Sequence, residues 1–326
     1  MKIPRFVHAH ARALAIASVV LGMAGLLQFT GVNPAASQTM TLTAFGTTEN
    51  PGLDPASAVW DKAPQVQVPL TAQAGAYAAG GGSIPVVAAK AIHYQDKVFV
   101  RVEWFDATRD ETTTRVQDFS DAVAVEFPSQ ASAGAVPTLC MGQLNAGVNI
   151  WQWRADSQAG LKDPVDLYVG ALVDGYPSKD TLFYTARAAG NPYSDPTSGP
   201  VQTLVSHAFG SLDKAANQDV TGKGAYDGKK WAVVFERTLT SGDVNEAAFT
   251  NGASTDMAFA VWNGSEGDRN GRKSVSQFVR LSLSGTEIVS NESNPLAWAL
   301  VLGLFVAFVG VGVGLGVYGY KEAKRS

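Results

Sequence analysis

Histidine, cysteine and paired carboxylates supply most nucleophiles, general bases and metal ligands, so their number and spacing bound the chemistry this chain can do. It holds one cysteine and four histidines. A single thiol, Cys140, allows no intramolecular disulfide, no iron–sulfur cluster and no covalent haem link through a CxxCH pair. His8 and His10 fall in an apolar leader, which leaves His93 and His207 as the imidazoles of the remaining chain. A bis-histidine haem would use both, although a packed or surface histidine is the commoner explanation of His93 in mid-strand. No GxSxG nucleophile, HExxH or CxxC metal pattern occurs, and no GxGxxG follows a strand pattern. Carboxylates are present, but none sits in a recognisable catalytic frame.

The elements around these residues are of two kinds. Both ends read as membrane segments. Lys2, Arg5 and Arg12 precede an apolar run from Ala13 to Phe29, and Ala35-Ala36-Ser37 supplies small residues for a signal peptidase. Residues 1–37 are therefore expected to be a Sec-type signal, with an uncleaved anchor as the alternative. Leu296 to Tyr320 carries no charge and is followed by Lys321, Lys324 and Arg325. A helix of that length exceeds the ~30 Å hydrocarbon core, and the basic tail belongs on the cytoplasmic side. The expected topology is single-pass: a domain over residues 38–290 outside the cytoplasm on the periplasmic side, a transmembrane helix over 295–320 and a cytoplasmic tail over 321–326. Gly303/Ala307, Gly310/Gly314 and Gly312/Gly316 repeat a spacing that lets another helix approach, or are glycines tolerated in lipid.

Between the ends the pattern alternates with period two. Lys97–Trp104 places Val98, Val100, Val102 and Trp104 on one face and charged residues on the other. Similar segments occur at Gln65–Leu70, Val86–Tyr94, Asp121–Phe127, Val148–Arg154, Trp231–Arg237, Asp256–Trp262 and Gln277–Leu283, punctuated by Gly, Pro, Asn and Asp. The expected fold is all-β, an antiparallel β-sandwich with one C-terminal transmembrane helix. Two stretches break the pattern. Thr71–Ser83, rich in Ala and Gly, reads as a flexible surface loop. Gly175–Gly224 reads as a long inserted loop region, with a short hairpin around Thr181–Ala186. With 25 basic against 29 acidic residues, nothing suggests a nucleic-acid partner.

Several blocks, taken in order, resemble a known family. They are Asp54-Pro55 with Trp60 and Ala63-Pro64; Ala91-Ile92-His93-Tyr94 with Val100–Trp104; and Asp121–Pro128. Met141-Gly142 follows with Val148–Asp156 behind it, then Trp231–Arg237, and finally Ala260–Ser265 with Arg269 and Lys273-Ser274. Together they resemble the haem b-binding gamma subunits of type II dimethyl sulfoxide reductase family molybdoenzymes. Those include ethylbenzene, dimethyl sulfide, chlorate, selenate and nitrite/nitrate enzymes. The likeness runs over residues 50 to 285. It departs from the family in the length of Gly175–Gly224 and in the C-terminal anchor, which the soluble periplasmic members lack.

The resemblance implies one non-covalent haem b with Met141 and Lys273 as axial ligands to the iron. On residue type alone, Met141 could be gap-filling core and Lys273, beside Arg272, a solvated turn lysine. A thioether is a soft, neutral ligand that favours ferrous iron and raises the potential. An amine binds iron only when neutral, and deprotonating an ordinary lysine at pH 7 from ~10.4 costs about 4.6 kcal/mol, so such a lysine must be rigidly held and shielded. Trp151 and Trp153 share one strand face and either wall the haem or pack the core. The implied function is non-catalytic electron transfer. The implied partners are a molybdenum-cofactor catalytic subunit and an iron–sulfur subunit, with a cytochrome or quinone-linked acceptor beyond them. The anchor points to a membrane-attached complex of nitrite/nitrate type. A membrane-tethered carbohydrate-binding sandwich is the competing reading, since seven tryptophans could supply a sugar platform.

Overall fold

Alternating segments become strands in the computed structural model, which describes residues 40–73, 80–113, 115–132, 137–139, 141–160 and 199–283. The signal, the transmembrane helix, the basic tail and the Thr181–Ala186 hairpin lie outside the described residues. Among the described residues no helix is long and apolar enough to cross a membrane. The chain is mostly β: β1 Thr41–Gly46, β2 Val66–Pro69, β3 Thr71–Ala72, β4 Val86–Tyr94, β5 Lys97–Phe105, β6 Ala122–Pro128 and β7 Val148–Arg154 come first. A short helix, α1 (Ala155–Ala159), separates them from β8 Val201–Ser206, β9 Asp213–Lys214, β10 Thr221–Tyr226, β11 Lys230–Thr238, β12 Ser254–Trp262, β13 Ser274–Val275 and β14 Val279–Ser282.

The ladder runs β10-β11-β5-β4-β1-β14-β12-β6-β7-β8-β9. It is not purely antiparallel, as the alternation had implied. β1 runs parallel to two strands, pairing Thr41–Thr43 with Arg280–Ser282 and Ala44–Gly46 with Ala91–His93. By changing partner half-way along, β1 joins the two halves of the ladder. The sheet curls, so that side chains from distant strands of the ladder come into contact. Trp153 on β7 meets Trp231 on β11 with ring centroids 5.0 Å apart, and Trp151 lies 4.7 Å from Phe127 and 6.5 Å from Phe235. Burial of each such ring contributes about 1.5–3 kcal/mol. A second cluster forms on the outer side of β4 and β5, where Val59 and Trp60, in a 3-10 turn, cover Ile92 and Phe99.

Two sequence expectations are corrected here. The end of the presumed insertion is sheet: β8 pairs with β7 along its length, from Val148–Ser206 to Trp153–Val201. Its pattern was illegible because the polar Gln202, Thr203 and Ser206 are as buried as Val201 and Leu204, so polarity does not mark its faces. β10 was hidden by its glycines. Gly224 faces the core because a Cβ there would lie 2.3 Å from Cζ2 of Trp153. The Thr71–Ser83 stretch is also more than a surface loop: β3 pairs with β13, and Gln73 bridges to Gly80.

Candidate functional site

The two faces of β6, β7 and β12 see different surroundings, as period two requires. Val123, Val125, Phe127, Trp151, Trp153 and Val261 point into the core. Ala122, Ala124, Ile150, Gln152, Arg154, Ala258, Ala260 and Trp262 line a cavity of about 420 Å³ on the other face. The tryptophans of β7 are therefore core, and the cavity is walled by their strand neighbours. Register makes the room: Ala124 lies opposite Ala260, so methyl groups floor the cavity where longer side chains would fill it. The alternations Ala122-Val123-Ala124-Val125 and Ala258-Phe259-Ala260-Val261 carried this signal in the sequence. The size and apolar floor are those of a small-molecule or cofactor site, which spans roughly 300–1,000 Å³.

Loops close the sides. Leu139 and Met141 come from the turn before β7, Phe209 and Leu212 from the β8–β9 loop, and Asp268, Arg269 and Lys273 from the segment after β12. The structure thus brings Met141 and Lys273 to one cavity. Met141 is half-buried, and its carbonyl oxygen accepts the Ser206 hydroxyl at 2.8 Å, which ties its turn to the end of β8. Gly142 N–H donates to Thr138 O at 2.9 Å and closes that turn. Met257 is fully buried in the core, so Met141 is the one methionine lining the cavity among the described residues. Neither His93 nor His207 lines it. Cys140 lies outside the described residues.

Lys273 is only 8% exposed. Its Nζ sits 4.8 Å from the centre of the Trp262 ring, whose indole N–H donates to Asn270 O at 3.0 Å. Among the described residues no carboxylate stands within ion-pair distance of it. The neighbouring Asp268 is engaged elsewhere, accepting Arg272 Nε at 3.3 Å and Asn263 N–H at 3.2 Å. Burial pushes the Asp268 carboxyl above the usual range, against the pull of those two donors. Arg269 stacks on Phe119 at 4.7 Å and donates to Gly267 O. The cavity therefore presents a thioether and an amine with no carboxylate at ion-pair distance among the described residues, above an alanine floor and between walls that also carry Glu126, Gln152 and Arg154. No three of His, Cys, Asp and Glu converge as a metal site among the described residues.

Asp121 holds the start of β6 in place from the core side. It accepts Asp110 N–H at 2.7 Å, Gly264 N–H at 2.9 Å and the Trp231 indole N–H at 2.9 Å. Burial, helped by the nearby Asp106 carboxyl, pushes its pKa up to about 7, while the three donors pull it down.

A mostly β chain thus carries one cavity with an apolar floor, framed by these loops, as its candidate binding site. A family model described as ethylbenzene dehydrogenase matches residues 57–274, and the chain belongs to that family. A Haloferax mediterranei protein assigned as a respiratory nitrate reductase heme subunit is 30% identical over 82% of this chain and 82% of its own length. The chlorate reductase subunit gamma of Ideonella dechloratans is 28% identical over 80% of this chain and 90% of its own. Among solved structures, a family 9 carbohydrate-binding module from Caldicellulosiruptor kristjanssonii in complex with cellotriose aligns with a TM-score of 0.39 and 9% identity. It covers 77% of this chain and 96% of that one. So low a score carries no argument about ligand.

Proposed function

We propose that this chain is a non-catalytic electron-transfer subunit that binds one haem b non-covalently between Met141 and Lys273. The observation that carries the reading is the meeting, at one apolar-floored cavity, of a thioether and a buried lysine that has no carboxylate at ion-pair distance among the described residues, in a family whose relatives are assigned as heme and gamma subunits. A buried lysine without a carboxylate is costly unless its amine has another use, and the donor set fits haem iron. Haem held there supplies a one-electron carrier in a water-poor setting. Met141 and Lys273 would hold it, Ala124 and Ala260 would leave it space, and Trp262 would wall the lysine's side.

The fold in this reading is a two-layer β-sandwich over residues 38–290, behind a signal over 1–37 and ahead of a membrane helix over 295–320 and a tail over 321–326. The domain stands on the extracytoplasmic side of the cell membrane. Its partners are a molybdenum-cofactor catalytic subunit and an iron–sulfur subunit of nitrite/nitrate type, with a cytochrome or quinone-linked acceptor beyond them. The sugar-binding alternative is less well supported, since every tryptophan among the described residues is buried, so none forms an exposed platform, and only Trp262 lines the cavity.

The visible spectrum of the purified full-length chain tests this. A Soret band with α and β bands on reduction is expected, surviving substitution of His93 and His207 and lost or altered in Lys273→Leu and Met141→Ala. A colourless protein, or a low-spin signal that depends on either histidine and not on Met141 or Lys273, overturns it. Protease added to intact spheroplasts should digest the domain; full protection would reverse the topology.

A further inference from the structure

The lysine is fixed from behind by a run of glycines that no sequence pattern connected with it. Gly80, Gly81 and Gly82 all have positive φ, at 113°, 83° and 89°. Backbone there disfavours L side chains, and at Gly81 there is no space for one: a Cβ would lie 2.4 Å from Lys273 O and 2.5 Å from its N and C atoms. Those are backbone atoms and cannot swing aside. The contact is held by hydrogen bonds on both sides of Lys273. Gln73 N–H donates to Lys273 O at 3.1 Å. The Ser274 hydroxyl, fully buried, accepts Gly82 N–H at 3.1 Å and Ile84 N–H at 3.2 Å. Pairing of β3 with β13 continues the clamp to Val275.

We propose that Gly81 and Ser274 are positioning residues for Lys273, clamping its peptide so that the amine is delivered to one place in the cavity. This rests on Lys273 being a haem ligand. A lysine reaches its target through a flexible four-carbon stem. Freedom in its own peptide would add to that of the stem and weaken any bond the amine makes. Gly81 lets the neighbouring backbone lie directly on the Lys273 peptide. Ser274 ties the glycine run to the residue after the ligand, so both act through Lys273 and touch no cofactor themselves.

The test titrates haem into the full-length chain and records the oxidised visible spectrum. Ser274→Ala and Gly81→Ala should each lower haem affinity by about 10- to 100-fold and move the spectrum from low to high spin. Added imidazole should restore the low-spin form, because the pocket remains and only the amine is misplaced. Gly52→Ala is the control: it imposes the same kind of strain at φ 61°, with nothing within 4 Å of its Cβ, and should behave like the parent. If Gly81→Ala does not fold, Ser274→Ala decides alone. Parent-like affinity and spin state in both variants, with low spin lost in Lys273→Leu, overturn the clamp and leave the ligand reading standing. High-spin spectra that imidazole does not convert indicate a damaged pocket and also overturn it. A low-spin spectrum retained in Lys273→Leu overturns the ligand reading and the clamp together.

Discussion

Arg237 and Lys273 are both buried cations, and the sheet treats them in opposite ways. Arg237, 1% exposed, reaches the core face of β7, where Asn149 Oδ1 accepts its Nη1 at 3.1 Å and Ala247 O accepts its Nη2. Asp219 and Glu246 stand 3.6 and 3.9 Å away, and the rings of Trp151 and Phe249 lie 5.6 and 5.8 Å from its guanidinium carbon. Burial lowers its pKa, and the two carboxylates offset that. Lys273, on the cavity side, has the Trp262 ring beside it and, among the described residues, no carboxylate at ion-pair distance. A buried charge surrounded by acceptors is part of the scaffold, whereas one without them is a candidate for another role, which in the proposed reading is haem ligation.

Breaking the scaffold side should have the largest effect. Arg237→Ala removes the cation facing the buried Glu246, leaves Asn149 Oδ1 and Ala247 O short of a donor and opens a hole against Trp151, and should cost about 3–5 kcal/mol in denaturant unfolding. A loss of under about 1 kcal/mol would mean the network is dispensable.

Asp121 extends the comparison to a buried acid. Its folded pKa of about 7 is raised above the unfolded value, so the native state keeps a proton that the unfolded chain releases. Its contribution is full below pH ~4 and is lost as pH rises through about 7, by an amount on the order of a few kcal/mol. Melting temperatures across that window should fall with pH in the parent and flatten in Asp121→Asn. An equally steep fall in the variant would place the titration elsewhere.

Met141→Ala removes a half-buried side chain held in a loop and should cost only about 1 kcal/mol. Its haem should bind more weakly, at a lower potential, once the soft ligand is gone. An unchanged potential would count against the thioether. The smallest effect on stability is expected at Lys273. Lys273→Leu removes a side chain with no carboxylate partner among the described residues, so the haem-free chain should unfold at the same or higher denaturant concentration while low-spin haem is lost. A drop comparable to that of Arg237→Ala would erase the distinction between the two cations.

Legibility followed the surroundings of each strand. β4, β5, β7 and β11 were plain because one face is apolar and the other carries charge or covers a separate cluster. β1 was unread: its parallel pairing to β4 and β14 depends on segments far along the chain. β8 was lost because its polar Gln202, Thr203 and Ser206 are buried with Val201 and Leu204, so polarity does not mark its faces, and β10 because its glycines answer to Trp153 rather than to a turn.

By itself the sequence determined where most strands lie and which residues share a face, since period two is a local property of an extended chain. It also carried the ordered blocks that mark the family. Which face of β7 meets the core, and which meets the cavity, was decided only by the curl of the sheet. So was the meeting of Met141, held by the end of β8, with Lys273, against whose peptide a glycine run from far earlier in the chain lies. Register and curl are set by long-range hydrogen bonding and packing, and no spacing along the chain records which distant backbone will come to rest on a given peptide.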